Sequence, residues 1–229
     1  MMNLSSETTA VLKNFANINS NIVFKTGSTI KTMAEAKNIL AKASVSEVFP
    51  DREFGIYDLN EFLGVTSMFE NPELKFNEEM TSVSIAEGKR SVKYFFSDPS
   101  ILTSPSKDIV MPSTEVTFTL SNDDLSTLRK AASTLGVSDV VVTGSEGGTD
   151  AKIMVTDVND STANSFELEL SNVTRPSDQF NFVFNIGNFK LISGDYDVAI
   201  SSKLISHFKS QAADVEYWIA LEKSSTFGG

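Results

Sequence analysis

The sequence has no cysteine and a single histidine, and these two absences remove whole chemistries. Without cysteine there is no disulfide framework, thiol nucleophile, iron–sulfur cluster or cysteine zinc site. A nucleophilic triad would have to use His207, yet there is no Gly-x-Ser-x-Gly turn to present a serine, and an exposed or capping histidine is the ordinary reading. Phosphate loops are missing too. The glycines of Gly144-Ser145-Glu146-Gly147-Gly148 lack the spacing of a nucleotide cradle and read as a hairpin turn. No run approaches the roughly 18 apolar residues of a membrane span, and the start shows no basic segment before an apolar one. A cytoplasmic, non-enzymatic protein without metal or cofactor is the expectation.

What the chain does have is a core and an excess of acid. Hydrophobic residues make up 41% of its 229 positions, so it can pack rather than stay disordered. Its 19 lysines and arginines against 30 acids leave a formal net charge of −11. That balance argues against a surface that grips nucleic acid everywhere, but not against local basic strips.

Periodicity supplies the elements. Val11, Leu12, Phe15 and Ile18 recur at helical spacing and predict a helix from about Ser6 to Asn19, capped by Ser5 or Ser6, with Glu7 near its positive end. An extended Asn21–Lys25 follows. Asp58 caps a second helix, about Leu59 to Glu70, after a short strand at Phe54–Tyr57. Glu73–Phe76, Ser82–Ile85 and Ser91–Phe96 read as hairpin strands. Residues 97–113 then hold three of the six prolines amid serines, an extended connector. Beyond it the pattern restarts. Ser121 or Asn122 caps a third helix carrying Leu125, Leu128, Ala132 and Leu135, which Gly136 ends. Strands at Asp139–Thr143, Phe180–Phe184, Tyr196–Ser201 and Glu216–Glu222 follow, with a short fourth helix from Asn185 to Ile192.

The first and third helices begin 116 residues apart, the second and fourth 127, and half the chain is about 114. We therefore expect an internal duplication of two similar α+β domains, 1–98 and 115–229, joined by a connector at 99–114. Two unrelated α+β domains are the alternative.

Several segments then resemble one family in register. Thr8–Ser20, Ile56-Tyr57-Asp58-Leu59-Asn60-Glu61-Phe62-Leu63-Gly64, Phe180–Ile186 with Lys190, Ser193–Val198 and Trp218–Glu222 are similar to successive segments of the DNA polymerase sliding clamps of T-even-type bacteriophages. The resemblance spans nearly the whole chain and is poorest over 34–50 and 143–177. It implies a DNA-clamp fold, two helices packed on antiparallel sheets in each domain, and a homotrimer closed head to tail into a ring. Such a ring encircles duplex DNA without sequence specificity, tethers the replicative DNA polymerase, is opened by an ATP-dependent clamp loader, and supports late transcription through the phage-modified RNA polymerase. Its setting is the cytoplasm of the infected bacterium. Three copies would carry 3 × −11 = −33, leaving DNA only the hole.

On this reading Lys13, Asn17, Arg129, Lys130 and Lys190 face DNA, with Asn60 and Ser67 on a second helix that has no cation. Clamps of this fold hold partner peptides beside the connector and the last strand. Ile109, Val110, Met111, Pro112, Trp218, Ile219, Leu221 and Phe227 are the candidates here, although Trp218 could equally be core. Tyr94 and Phe95 of one subunit would meet Phe166 and Leu168 of the next through edge strands. Lys25, Lys31 and Lys37 are left as ordinary surface. The alternative function is a non-enzymatic structural or virion-assembly protein with two β-rich domains.

Overall fold

The computed structural model describes residues 2–228, which form two compact units, one ending at Asp108 and the other starting at Ile109.

The N-terminal unit begins with α1 (Ser6–Ile18). Its expected apolar stripe, Val11, Leu12, Phe15 and Ile18, is buried, and each such side chain contributes about 1.5–3 kcal/mol. Ser5 caps it, its hydroxyl accepting from the amide of Thr8. The strands β1 (Ile22–Phe24), β2 (Gly27–Met33), β3 (Ile39–Phe49) and β4 (Phe54–Ile56) follow. β1 pairs with β4, and β2 with β3, both antiparallel. The Asn19 amide reaches from the end of α1 to the Met33 carbonyl at 2.8 Å and pins helix to strand. Next come α2 (Leu59–Thr66) and the antiparallel meander β5 (Glu73–Phe76), β6 (Ser82–Glu87) and β7 (Arg90–Phe95). α2 stops short of the expected Glu70 because its last amides turn to carbonyls three residues back, Met68 to Val65 and Phe69 to Thr66. Phe24, Phe49, Phe54, Phe76 and Phe96 interlock between the strands. Gly55 lets residues 97–102 lie across β4. A Cβ there would stand 2.5 Å from a Leu102 methyl and 2.9 Å from the Ser97 carbonyl oxygen.

The C-terminal unit runs β8 (Val116–Leu120), α3 (Asn122–Leu135), β9 (Asp139–Gly144), β10 (Lys152–Thr156), β11 (Phe166–Glu169), β12 (Ser171–Thr174), β13 (Phe180–Asn185), β14 (Tyr196–Ser201), β15 (Ile205–Ser210), β16 (Val215–Ala220) and β17 (Thr226–Phe227). One antiparallel sheet has the order β11-β10-β9-β13-β17, and the other unit-two strands run β12-β8-β14-β15-β16. α3 is capped by Ser121 and ended by Gly136 in the left-handed conformation at φ 69°. Leu125, Leu128 and Ala132 bury its inner face.

The expected fourth helix does not form. Only the 3-10 turn Ile186–Asn188 stands there, because the Asn185 side chain accepts from the Gly187 amide and closes a local turn instead. Among the described residues this unit therefore has one α-helix, not two. Among the described residues no helix is long and apolar enough to cross a membrane.

Candidate nucleic-acid interface

The exposed faces of α1 and α3 carry the lysines. Opposite its buried stripe, α1 exposes Lys13 and Asn17 one turn apart, and the Asn17 amide donates to the Lys13 carbonyl oxygen at 3.2 Å. Lys13 also lines a groove of about 710 Å3 between α1 and α2. Hydroxyls of Ser6, Thr9 and Ser67 face the same groove, opposed by Glu70. Asn60 and Ser67 are exposed on or just past α2, whose first turn carries Glu61. In the C-terminal unit Lys130 is exposed on α3 beside Thr127 and Thr134. These are flexible point charges flanked by neutral donors, suited to phosphate contacts that carry no base information.

Arg129 departs from the expectation. It is half-buried, and its guanidinium donates to the carbonyl oxygens of Phe189 and Leu191. The loop that replaces the fourth helix leaves those carbonyls without helical partners, and Arg129 turns inward to satisfy them. That nitrogen is committed to the loop rather than turned outward. Lys190 lies in that same loop, half-buried rather than on a helix face.

The expected peptide pocket divides. Val110 is 83% exposed, Pro112 is exposed, and Ile109 and Met111 are half-buried. Ile219 and Leu221 are buried core residues, as is Trp218, which stacks on His207 with ring centroids 4.8 Å apart. All three pack as core in the free chain. His207 is neither exposed nor a cap. It sits on β15, and its Nε2 lies 2.9 Å from the Glu216 carboxylate. Phe227 is half-buried: β17 pairs with β13, and the ring stacks on Phe182 at 6.1 Å.

The two expected edges are the last strands of their sheets among the described residues. On β7, Tyr94 turns inward against Phe62 and its hydroxyl donates to Glu61. Burial and then the Glu61 charge push its phenol up to about 12. Phe95 points outward, 66% exposed, with the Lys93 ammonium 4.8 Å from its ring centroid. On β11, Phe166 and Leu168 are half-buried while Glu167 and Glu169 face solvent. One edge is thus basic and aromatic, the other acidic. Lys93, Glu167 and Glu169 lie within the two expected edge segments but were not singled out, although the strict alternation of Phe166-Glu167-Leu168-Glu169 announces the two glutamates.

Comparison with known proteins accords with this geometry. Residues 5–111 match the family described as DNA polymerase processivity factor, and residues 117–223 the family described as gp45 sliding clamp, C terminal. A sliding clamp of Vibrio phage KVP40 is 32% identical over 225 residues, covering 96% of this chain and 99% of that protein. The sliding clamp of Enterobacteria phage T4 is 32% identical over 231 residues, covering 98% and 99%. Among solved structures, PCNA from Thermococcus kodakaraensis superposes with a TM-score of 0.71 at 13% identity, over 96% of this chain and 99% of that one. Proliferating Cellular Nuclear Antigen from Entamoeba histolytica gives 0.67 at 14%, over 93% and 94%. With two family matches that share out nearly its whole length and phage relatives at this identity, the chain belongs to the phage sliding clamps, the non-enzymatic processivity factors of DNA polymerase.

Proposed function

We propose that three copies of this chain join head to tail in a ring around duplex DNA and hold the replicative polymerase on it. The single observation that carries this reading is the opposite character of the β7 and β11 edges. β7 offers Lys93 and Phe95 outward, and β11 offers Glu167 and Glu169. Pairing one copy's β7 with the next copy's β11 extends both sheets and sets opposite charges on one face. A heterologous contact of this kind generates a ring when its rotation closes.

Within that ring Lys13, Asn17, Lys130 and Lys190 contact phosphates, while the acidic remainder repels DNA from elsewhere. The exposed connector side chains around Val110, with Ile109, Met111 and Pro112, offer an anchor to a polymerase peptide. An ATP-dependent clamp loader places the ring, and the same ring supports late transcription with the phage-modified RNA polymerase, in the cytoplasm of the infected host. The decisive experiment is mass in solution. A particle of about three times 25.0 kDa is expected. Lys93→Glu should leave monomers, and adding Glu169→Lys in the same chain should restore the trimer. A parent that stays monomeric, or a double variant that fails to reassemble while folded, would refute the edge assignment.

A further inference from the structure

Lys31 on β2 and Lys42 on β3 stand directly opposite each other in the antiparallel ladder. Like charges so placed repel, and the arrangement is tolerated where an anion sits between them. Lys25, just past β1, joins them on the wall of a cavity of about 400 Å3. Ser104, Pro105 and Ser106 form its other wall. Asp108 closes this cavity and accepts a hydrogen bond from the Lys31 ammonium. Among the described residues, neither Lys25 nor Lys42 lies in a salt bridge. Three cations and one carboxylate therefore line this cavity, in a chain whose net charge is −11.

We propose that this groove docks an acidic peptide segment of a partner protein, and that Asp108 occupies it in the free chain as an internal competitor. Three features favour such an occupant. The groove already seats a carboxylate. Its walls mix cations with serine and threonine hydroxyls and the apolar Val23 and Pro105, which suits an extended peptide. A duplex is too broad to enter a cavity of this size. The hydrogen bond and charge of Lys31, and then the charge of Lys42, hold the Asp108 carboxyl below its usual range, so both lysines act on whatever anion sits there. The resident contact is also easily exchanged. The Asp108 side chain is 68% exposed, and ion pairs this open contribute little. The groove has a direction as well. Past Lys25 it meets Glu53 and Asp98, so the occupant's acids belong at the Lys31 and Lys42 end.

This rests on the reading that clamp partners are held through peptide segments, and the test separates the two. The probe is a fluorescently labelled hexaglutamate peptide, with hexaglutamine and a labelled DNA duplex as comparators, titrated into the full chain at low salt. Lys31→Ala with Lys42→Ala should weaken hexaglutamate about tenfold. Asp108→Asn should tighten it about two- to fivefold, and only when both lysines are present. Asp123→Asn makes the same change of net charge on α3 and should leave affinity where it was. Equal tightening by Asp108→Asn and Asp123→Asn, equal binding of hexaglutamine, or a lysine-dependent affinity seen for the duplex alone would each overturn the proposal. Normal trimers that ignore hexaglutamate would sink the groove and spare the clamp. Monomers with the full lysine and Asp108 pattern would do the reverse.

Discussion

In the C-terminal unit the guanidinium of Arg129 reaches from α3 to the carbonyl oxygen of Phe189, sixty residues along the chain. The same nitrogen lies 3.3 Å from the carbonyl oxygen of Leu191. The amide of Ile192 donates to the Tyr217 hydroxyl, and the Tyr196 hydroxyl donates to the Ile192 carbonyl. An irregular loop is thereby tied by side chains from α3, β14 and β16.

Replacing that guanidinium separates structural from DNA-facing cations. Arg129→Ala leaves partly buried carbonyls unpaired and should cost about 1–3 kcal/mol in denaturant unfolding. Lys130→Ala, one residue on and exposed, should stay within about 0.5 kcal/mol. Equal stabilities would show that the Arg129 contacts do not hold the loop.

Glu47 makes stability depend on acid. It lies in the buried row of β3 and accepts from the Ser5 amide and the Thr8 hydroxyl at the head of α1. Burial alone would raise its pKa, but the hydrogen bonds from Thr8 and Ser5 outweigh it and hold it below 4.5. A folded-state pKa below the unfolded one gives stability that is present above pH 4.5 and lost as pH falls through the folded value. Glu47→Gln should therefore flatten the fall in melting temperature between about pH 5 and pH 3, and lower stability at pH 7 by about 1–3 kcal/mol. Parallel pH profiles for parent and variant would contradict this.

The DNA contacts should show in salt. Lys13→Ala with Lys130→Ala removes up to six phosphate contacts from a trimer, and each is worth about 0.9 in the slope of log affinity against log salt. The slope for retention on circular duplex DNA should become shallower by up to about 5, with the fold intact. An unchanged slope would place the DNA against another surface.

The tail should behave as structure rather than as bait. Phe227→Ala loses the stack on Phe182 and the side chain opposite Phe180, and should lower stability by about 1–2 kcal/mol. Affinity for a polymerase-tail peptide should not change. A variant of parental stability that no longer binds peptide would return Phe227 to the pocket.

These outcomes follow the line between what the residues announce and what only packing decides. The stripe of α1, the caps at Ser5, Asp58 and Ser121, and the Gly136 stop were legible because each is a local rule that tertiary contacts reinforce. β3 was harder to read, since its alternation is inverted where it matters. Glu47 points inward and Val48 stands 72% exposed. The fourth helix failed for a similar reason: the spacing of Ile186, Phe189 and Ile192 mimics a helix, while the Asn185 turn and Arg129 fix another backbone. Trp218, Ile219 and Leu221 looked like a pocket because an apolar run near a terminus does not reveal which way it faces. Lys31 read as plain surface and Lys42 drew no notice, because cross-strand register is invisible in a linear string.

The unlike edges also govern what the chain avoids. A lone copy with β7 and β11 uncovered invites stacking onto itself, the usual route from soluble protein to fibre. β7 laid against another β7 in register would bring lysine near lysine, and β11 against β11 would line up glutamates. Both mispairings are electrostatically penalised, and the penalty is greatest in dilute salt. The charge that selects the correct neighbour thus doubles as a solubility guard, and it weakens as ionic strength rises.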